Sequence, residues 1–303
     1  MQQKIIILGG PTASGKSALA VEIAHKIDAV IINADSQQVY REIPIITAQP
    51  TILEQESIPH RLYGVISVRD FFSVALWLEM VEKEIRQVLA SGKTPLLVGG
   101  TGMYIKSLVD GISKVPEISQ EVRDNIRHLC DTEGTEAVYK LLAEKDPEIA
   151  AKLKPADKQR VLRGYEVIVE TGKSLLYWHG QENTLLFPAE MMKLFFLLPS
   201  REEVYRKCDT RFLQMLENGM LDEVAAIDKM QVPHLFPAMR AHGLRELISY
   251  LHGEMPLDEA INKGQQSTRN YVKRQFTWFR NQMQNASVIR NLDAGNVIKS
   301  WHN

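Results

Sequence analysis

Apolar and polar positions along the 303-residue chain fall into two alternating rhythms. Short apolar runs bounded by turn residues, at Ile5–Leu8, Val30–Ile32, Pro95–Val98 and Leu194–Leu198, predict buried strands. Between them the spacing is helical. Around Ser17–Lys26 the apolar positions are Leu19, Ala20, Ile23 and Ile27, and Val74–Leu89 repeats the pattern with Trp77, Leu78, Val81, Ile85 and Val88. Strand–helix alternation of this kind predicts a parallel α/β sheet with these segments as crossover helices.

From Pro116 to Pro188 the strand signals vanish. Helical segments near Ser119–Leu129, Glu136–Ala143 and Asp157–Glu170 are punctuated by Gly134, Pro147 and Pro155. The expected organisation is a first part of the core over 1–115, an all-helical insertion over 116–188, and a return to the core over 189–303. After Leu198 the pattern is again helical, over Arg201–Glu217, Leu221–Met230 and Leu257 to about Gln284. These helices are expected to close one end of the core. The tail from Asn285 has no readable period.

Composition changes this picture little. With 36 Lys+Arg against 37 Asp+Glu, 45% hydrophobic and 24% charged residues, and a mean hydropathy of −0.18, the chain reads as an ordinary globular protein rather than a disordered, collagen-like or coiled-coil one. The two cysteines, Cys130 and Cys208, lack CxxC spacing and suit a reducing, cytoplasmic compartment. The apolar run at Ile5–Leu8 is too short for a secretory core, and no stretch has membrane-spanning length. A net charge of −1 excludes a globally basic coat but not a local patch.

Chemistry enters at Gly10-Pro11-Thr12-Ala13-Ser14-Gly15-Lys16-Ser17, which fits G-x-x-x-x-G-K-[ST] between a strand and an amphipathic helix. Its backbone N–H groups and helix N-terminus suit phosphate oxygens, Lys16 adds a point charge, and the Ser17 hydroxyl suits Mg²⁺. The fold class expected is therefore a P-loop NTPase-like α/β core with a parallel sheet, plus the helical insertion. Nucleotide-hydrolysing proteins usually place an acid at a neighbouring strand end. Here Pro95–Val98 runs into Gly99-Gly100-Thr101-Gly102, with none. Val30–Ile32 instead leads to Asp35, at the carboxyl edge where α/β proteins bind ligands. Asp35 reads as a metal ligand, a general base or a turn cap.

These residues resemble a known family. Gly10–Ser17, Asp35-Ser36-Gln37-Gln38-Val39-Tyr40, Leu96 through Tyr104, Gln159-Arg160-Val161-Leu162-Arg163, Leu221-Asp222-Glu223-Val224 and Thr268 through Arg280 are, in this order, similar to blocks of the bacterial tRNA dimethylallyltransferases. The resemblance implies transfer of a dimethylallyl group from dimethylallyl diphosphate to N6 of the adenine 3′-adjacent to a tRNA anticodon. The phosphate loop and Mg²⁺ would hold the leaving pyrophosphate, so no hydrolytic acid is needed. Matched residue by residue, Asp35 is the general base, Thr12 lines the diphosphate loop, Thr101 contacts the target nucleotide, and Arg211 binds pyrophosphate. Asp35 through Gln38, Arg123 and Gln159–Arg163 are the implied tRNA contacts. The family also implies a monomer, with no stable protein partner and no membrane.

From Ala260 to Leu292 there is no Asp or Glu, and Arg269, Lys273 and Arg280 can share one helical face, a stripe suited to phosphates or simply to solvent. Arg269 and Lys273 are the candidates for tRNA, while Tyr271, Phe276 and Trp278 are expected to turn toward the core. The segment Arg41–Pro50 departs from the family, with Glu42, Ile46 and Gln49 where glycines and a lysine are usual. Ala241-His242-Gly243-Leu244 departs as well. No His pair has zinc spacing. Competing readings are a phosphoryl-transferring small-molecule or nucleotide kinase, an enzyme that prenylates free adenine nucleotides, and a non-catalytic RNA-binding NTP switch. The insertion and Gln159–Arg163 argue against the second, and Asp35, Thr101 and Arg211 together argue against the last.

Overall fold

The structure, a computed structural model, describes residues 4–283 and 285–302. It divides into two compact units, one formed by 1–109 with 186–303 and the other by 110–185.

In the first unit, β1 (Ile5–Gly9) leads through the phosphate loop into α1 (Lys16–Ile27), followed by β2 (Ala29–Asn33), α2 (Ile52–Ser57), the two-residue β3 (His60–Arg61), α3 (Val74–Ala90), β4 (Thr94–Gly99) and α4 (Gly102–Asp110). β1 is buried along its whole length, as a central parallel strand flanked by helices must be. α1 starts where Gly15 takes φ 93° and ends where Asp28 turns left-handed. α3 starts at Ser73, whose side chain accepts the Leu76 N–H, and buries Trp77, Leu78, Val81, Ile85 and Val88, the stripe expected from the sequence.

The second unit consists of α5 (Gln120–Glu133), α6 (Thr135–Lys145), α7 (Pro147–Ala150), α8 (Lys158–Thr171) and α9 (Leu175–His179). Ser119, Asp146, Asp157 and Ser174 supply N-cap hydrogen bonds. Ile126, Val138, Leu142, Ile149, Val161 and Leu162 form its own small core.

The chain returns to the first unit as β5 (Met192–Leu197), then α10 (Arg201–Glu217), α11 (Met220–Lys229), α12 (Leu244–Leu251), α13 (Leu257–Gln282), β6 (Ser287–Ile289) and α14 (Ala294–His302). Among the described residues the strands make one parallel sheet in the order β3-β2-β4-β1-β5-β6. β1 sits between β4 and β5, with Leu8 opposite Val98 and Phe195. β2 lies next to β4, so the carboxyl ends of β1, β2 and β4 emerge together at one edge, where the phosphate loop, Asp35 and Thr101 follow. β5 begins two residues before the expected run. β3 and β6 are too short to carry a periodicity signal.

Candidate active site

The phosphate loop is shaped by close backbone approaches. A Cβ on Gly10 would lie 2.7 Å from the Leu197 carbonyl oxygen, so the end of β5 packs on the start of the loop. Ala13 (φ 58°) and Gly15 (φ 93°) are left-handed and curl the loop before α1. Lys16 Nζ folds back to donate to the Pro11 carbonyl at 3.2 Å. The Ser14 hydroxyl is fully buried, turned toward Gly10 and away from both pockets, and finds no hydrogen-bond partner among the described residues. Arg211, on α10, is drawn in rather than left in solvent, and its guanidinium donates to the Thr12 hydroxyl.

Asp35 owes its place to Asn33, the buried last residue of β2. The Asn33 Oδ1 accepts the Asp35 N–H at 2.8 Å, and its Nδ2 donates to the carbonyls of Asp35 and Leu62, each at 3.0 Å. The Trp77 indole N–H donates to the Asn33 carbonyl from α3 at 3.0 Å. Asp35 Oδ1 accepts the Gln37 N–H at 3.0 Å, so the carboxylate does close the turn that its position suggests, with one of its two oxygens. Thr101 ties the next loop to this one: its N–H donates to the Ala34 carbonyl at 3.2 Å, and its hydroxyl accepts the Ser36 N–H at 2.8 Å.

Two pockets meet here, and Thr12, Asp35, Thr47 and Arg211 line both. One is polar, bounded by Lys16, Ser17, Gln38, Arg206, Lys207 and Arg211. The other is walled largely by Ile46, Phe212, Met215, His242 and Tyr271, with Gln37 also lining it. Burial lowers the Lys16 ammonium to about 8, Asp35 opposing that shift and Arg211 adding to it. Burial likewise lowers Arg211. Two half-buried cations crowded together give the polar pocket a positive field. His242 is lowered to about 4, chiefly by burial, with Arg274 adding and Asp35 opposing. Its imidazole is therefore neutral at pH 7, lies 4.5 Å from the Tyr271 ring between centroids, and meets the Ser267 hydroxyl through Nδ1 at 3.1 Å.

The departures in 41–50 each have a structural role. Glu42 accepts from Ser67 Oγ and the Val68 N–H, both at 2.9 Å. Gln49 Nε2 donates to the Tyr40 carbonyl at 2.7 Å. Ile46 is buried in the apolar pocket wall. Glu223, from the Leu221–Val224 block, accepts the N–H groups of Ile45 and Ile46 at 2.7 and 2.8 Å and pins this segment, while Gln38 Nε2 donates to the carbonyls of Thr47 and Ala48 at 2.9 and 2.7 Å.

The basic candidates are dispersed. Arg269 is paired with Asp209 and also donates to Gln266, whereas Lys273 is exposed. Phe276 is core, as expected, but Tyr271 lines the apolar pocket. In the second unit Arg160 is exposed and Arg163 half-buried, with Arg163 3.8 Å from Glu166. Val161 and Leu162 point the other way, into that unit's core, because they occupy the apolar face of α8, so their side chains offer nothing to a ligand. Burial lowers Arg163 and raises Glu166, and Arg123 on α5 adds to the first shift and opposes the second.

Sequence reasoning passed over Tyr271, His242 and Gln275 as site residues. The one available signal was a glutamine on the buried stripe Thr268, Val272, Gln275 and Phe279.

Fold and cleft define the class first: an α/β protein of phosphate-loop type, with a cationic and an apolar pocket joined at one carboxylate. A sequence profile described as IPP transferase matches residues 38–282, and one described as isopentenyl transferase matches residues 3–69. The tRNA dimethylallyltransferase of Rhodopseudomonas palustris is 46% identical over 285 residues, covering 94% of this chain and 89% of its own. That of Wolbachia sp. subsp. Drosophila simulans is 47% identical over 301 residues, 99% of both chains. A eukaryotic dimethylallyltransferase acting on tRNA, solved by crystallography, matches with a TM-score of 0.80 at 26% identity, over 98% of this chain and 75% of its own. The chain belongs to the tRNA dimethylallyltransferase family, and is thus a prenyltransferase.

Proposed function

We propose that this chain transfers the dimethylallyl group of dimethylallyl diphosphate to N6 of the adenine 3′-adjacent to a tRNA anticodon, releasing pyrophosphate. The observation that carries the reading is the position of Asp35 on the wall shared by the cationic and the apolar pocket. The diphosphate sits on the loop with Lys16, Thr12 and Arg211, and the five-carbon group lies toward Ile46, Phe212 and Met215. The allylic C–O bond breaks and an N6–C bond forms, the pyrophosphate leaves with the bonding pair, and Asp35 accepts the N6 proton. An exocyclic amine is a weak nucleophile that becomes acidic as the bond forms, which is where a carboxylate base is effective. Cations fixed at the leaving group stabilise the charge developing there.

Mg²⁺ fits the donor set. It favours hard oxygens and keeps phosphate and water ligands, and the polar pocket offers the Ser17 hydroxyl with the Asp35 carboxylate on the same wall. Ser17 would hold the ion, whose chemistry is to neutralise diphosphate charge. Thr101 and Gln37 lie on the acceptor side, where an adenine turned out of the anticodon loop would enter, and Arg123, Gln159, Arg160 and Arg163 would grip the RNA backbone. The family likeness extends the proposal to a cytoplasmic monomer; among the described residues no helix is long and apolar enough to cross a membrane.

The test supplies Mg²⁺ and isotopically labelled dimethylallyl diphosphate with unmodified tRNA and, separately, AMP, followed by nucleoside analysis. Label is expected in N6-prenylated adenosine from tRNA alone, and Asp35→Ala is expected to lower turnover by about 10²–10⁴-fold with tRNA binding retained. Label on AMP alone, or near-normal turnover of the variant, refutes the acceptor or the base respectively.

A further inference from the structure

One buried polar side chain outside the assigned residues joins the two halves of the cleft. Gln275 on α13 is 4% exposed. Its Oε1 accepts the backbone N–H of Thr12, in the phosphate loop, at 3.0 Å. Its Nε2 donates to the carbonyl of Gly100, in the loop after β4, at 2.9 Å. Room for this exists because residue 100 is glycine: a Cβ there would fall 2.3 Å from Gln275 Nε2 and 3.3 Å from Asp35 Oδ2. The two partners also fix the orientation of the amide, since a flipped side chain would set donor against donor at Thr12 and acceptor against acceptor at Gly100. Tyr271, one turn earlier, interacts with the side chains of both Thr101 and Gln275.

We propose that Gln275 is a positioning residue, a clamp that holds the phosphate loop against the Gly100–Thr101 loop so that leaving group and acceptor meet at Asp35. The proposal rests on the roles assigned above to Thr12 and Thr101. A single amide spans both loops, and reacting groups must be aligned to within about 1 Å, beyond which rates fall by about 10²-fold. Gln275 touches no substrate; it sets the distance between residues that do.

The test compares Gln275→Glu and Gln275→Leu with the wild type in the full chain. A protonated glutamic acid reproduces the amide, its O–H donating to Gly100 and its carbonyl accepting from Thr12. An ionised one has no proton for Gly100 and sets two acceptors together. Burial favours the protonated form. The titratable and charged groups around this position include Tyr271 and Arg274 on the same helix, Asp35 beyond Gly100, Arg211 and Cys208 at Thr12, and Lys16 in its loop; all are common to the compared proteins, so the ratio to wild type isolates residue 275. The kcat of Gln275→Glu relative to wild type is expected to fall about 10- to 100-fold between pH 6 and 9, with the KM for dimethylallyl diphosphate little changed, and that of Gln275→Leu to be low throughout. Amide hydrogen exchange of the Thr12 segment, measured without substrates, is expected to be faster in Gln275→Leu. A Gln275→Glu profile parallel to wild type, or exchange unchanged at Thr12, overturns the clamp. A wild-type chain that transfers no prenyl group overturns the catalytic reading instead, and the exchange measurement still decides the clamp.

Discussion

Lys16 shows how a single residue carries an electrostatic cost within the folded chain. Its ammonium titrates near 8 rather than 10.5, because burial outweighs the attraction of Asp35. A lysine with a lowered folded-state value binds fewer protons than the unfolded chain between pH 8 and 10.5. Stability therefore rises with pH across that window, and the penalty is complete below it. Lys16→Met is accordingly expected to gain up to about 3 kcal/mol at pH 7, an upper bound from the size of the shift, with the gain vanishing near pH 10.5 in urea unfolding. The same substitution should abolish pyrophosphate binding in calorimetry. In the wild type that binding should weaken by at most about tenfold per unit above pH 8, with proton uptake. A variant no more stabilised over wild type at pH 7 than at pH 10.5 would show that Lys16 is not strained. Of these residues Lys16, Ser17 and Asp35 were legible from motif and strand end. Arg211 came through family likeness alone, because an arginine at that spacing on a helix is ordinarily solvated and only the fold turns it onto Thr12.

Among the elements, the strands that matter most for the site were the most readable. β1, β2 and β4 are continuous apolar runs because parallel strands are covered on both faces. Less readable was how tightly their ends meet. A Cβ on Gly99 would lie 2.0 Å from the Ala34 carbonyl oxygen, backbone against backbone with no flexible atom to yield. Gly99→Ala should therefore cost about 3 kcal/mol or more, the upper end of overpacking effects, read by chemical denaturation. A loss under about 1 kcal/mol would mean that β2 and β4 can separate freely. α4 went unrecognised because its apolar residues start immediately after the glycines that end β4, and β3 and β6 because two or three residues carry no period.

At the scale of the whole molecule the chain divides its labour between an α/β unit that carries the cleft and a helical unit with its own core. The exposed side of α8 in the helical unit carries Arg160, with Arg163 half-buried beside it. Replacing both by glutamine should weaken tRNA binding and make log affinity less steep against log salt, by about 0.7–0.9 for each phosphate that an arginine no longer neutralises. Prenyl transfer at saturating tRNA should be nearly unchanged, as neither residue lines the cleft pockets. An unchanged salt slope would remove them from the RNA interface. Arg269, expected from the basic stripe of its helix, is held more tightly, by Asp209, than Arg160 is by Asp157 or Arg163 by Glu166.

Local sequence by itself determined the phosphate loop, the central strands, the crossover helices and the site of Asp35, because each follows from chemistry within a few residues: apolar runs, helical spacing, glycines at a turn. The tertiary structure alone decided which distant groups complete the cleft. Gln275 reaches Thr12 across 263 positions of sequence and Gly100 across 175, and Glu223 reaches Ile45 across 178. Hydrogen bonds between such groups leave no local period, since they depend on where packed helices bring a side chain after the core has formed.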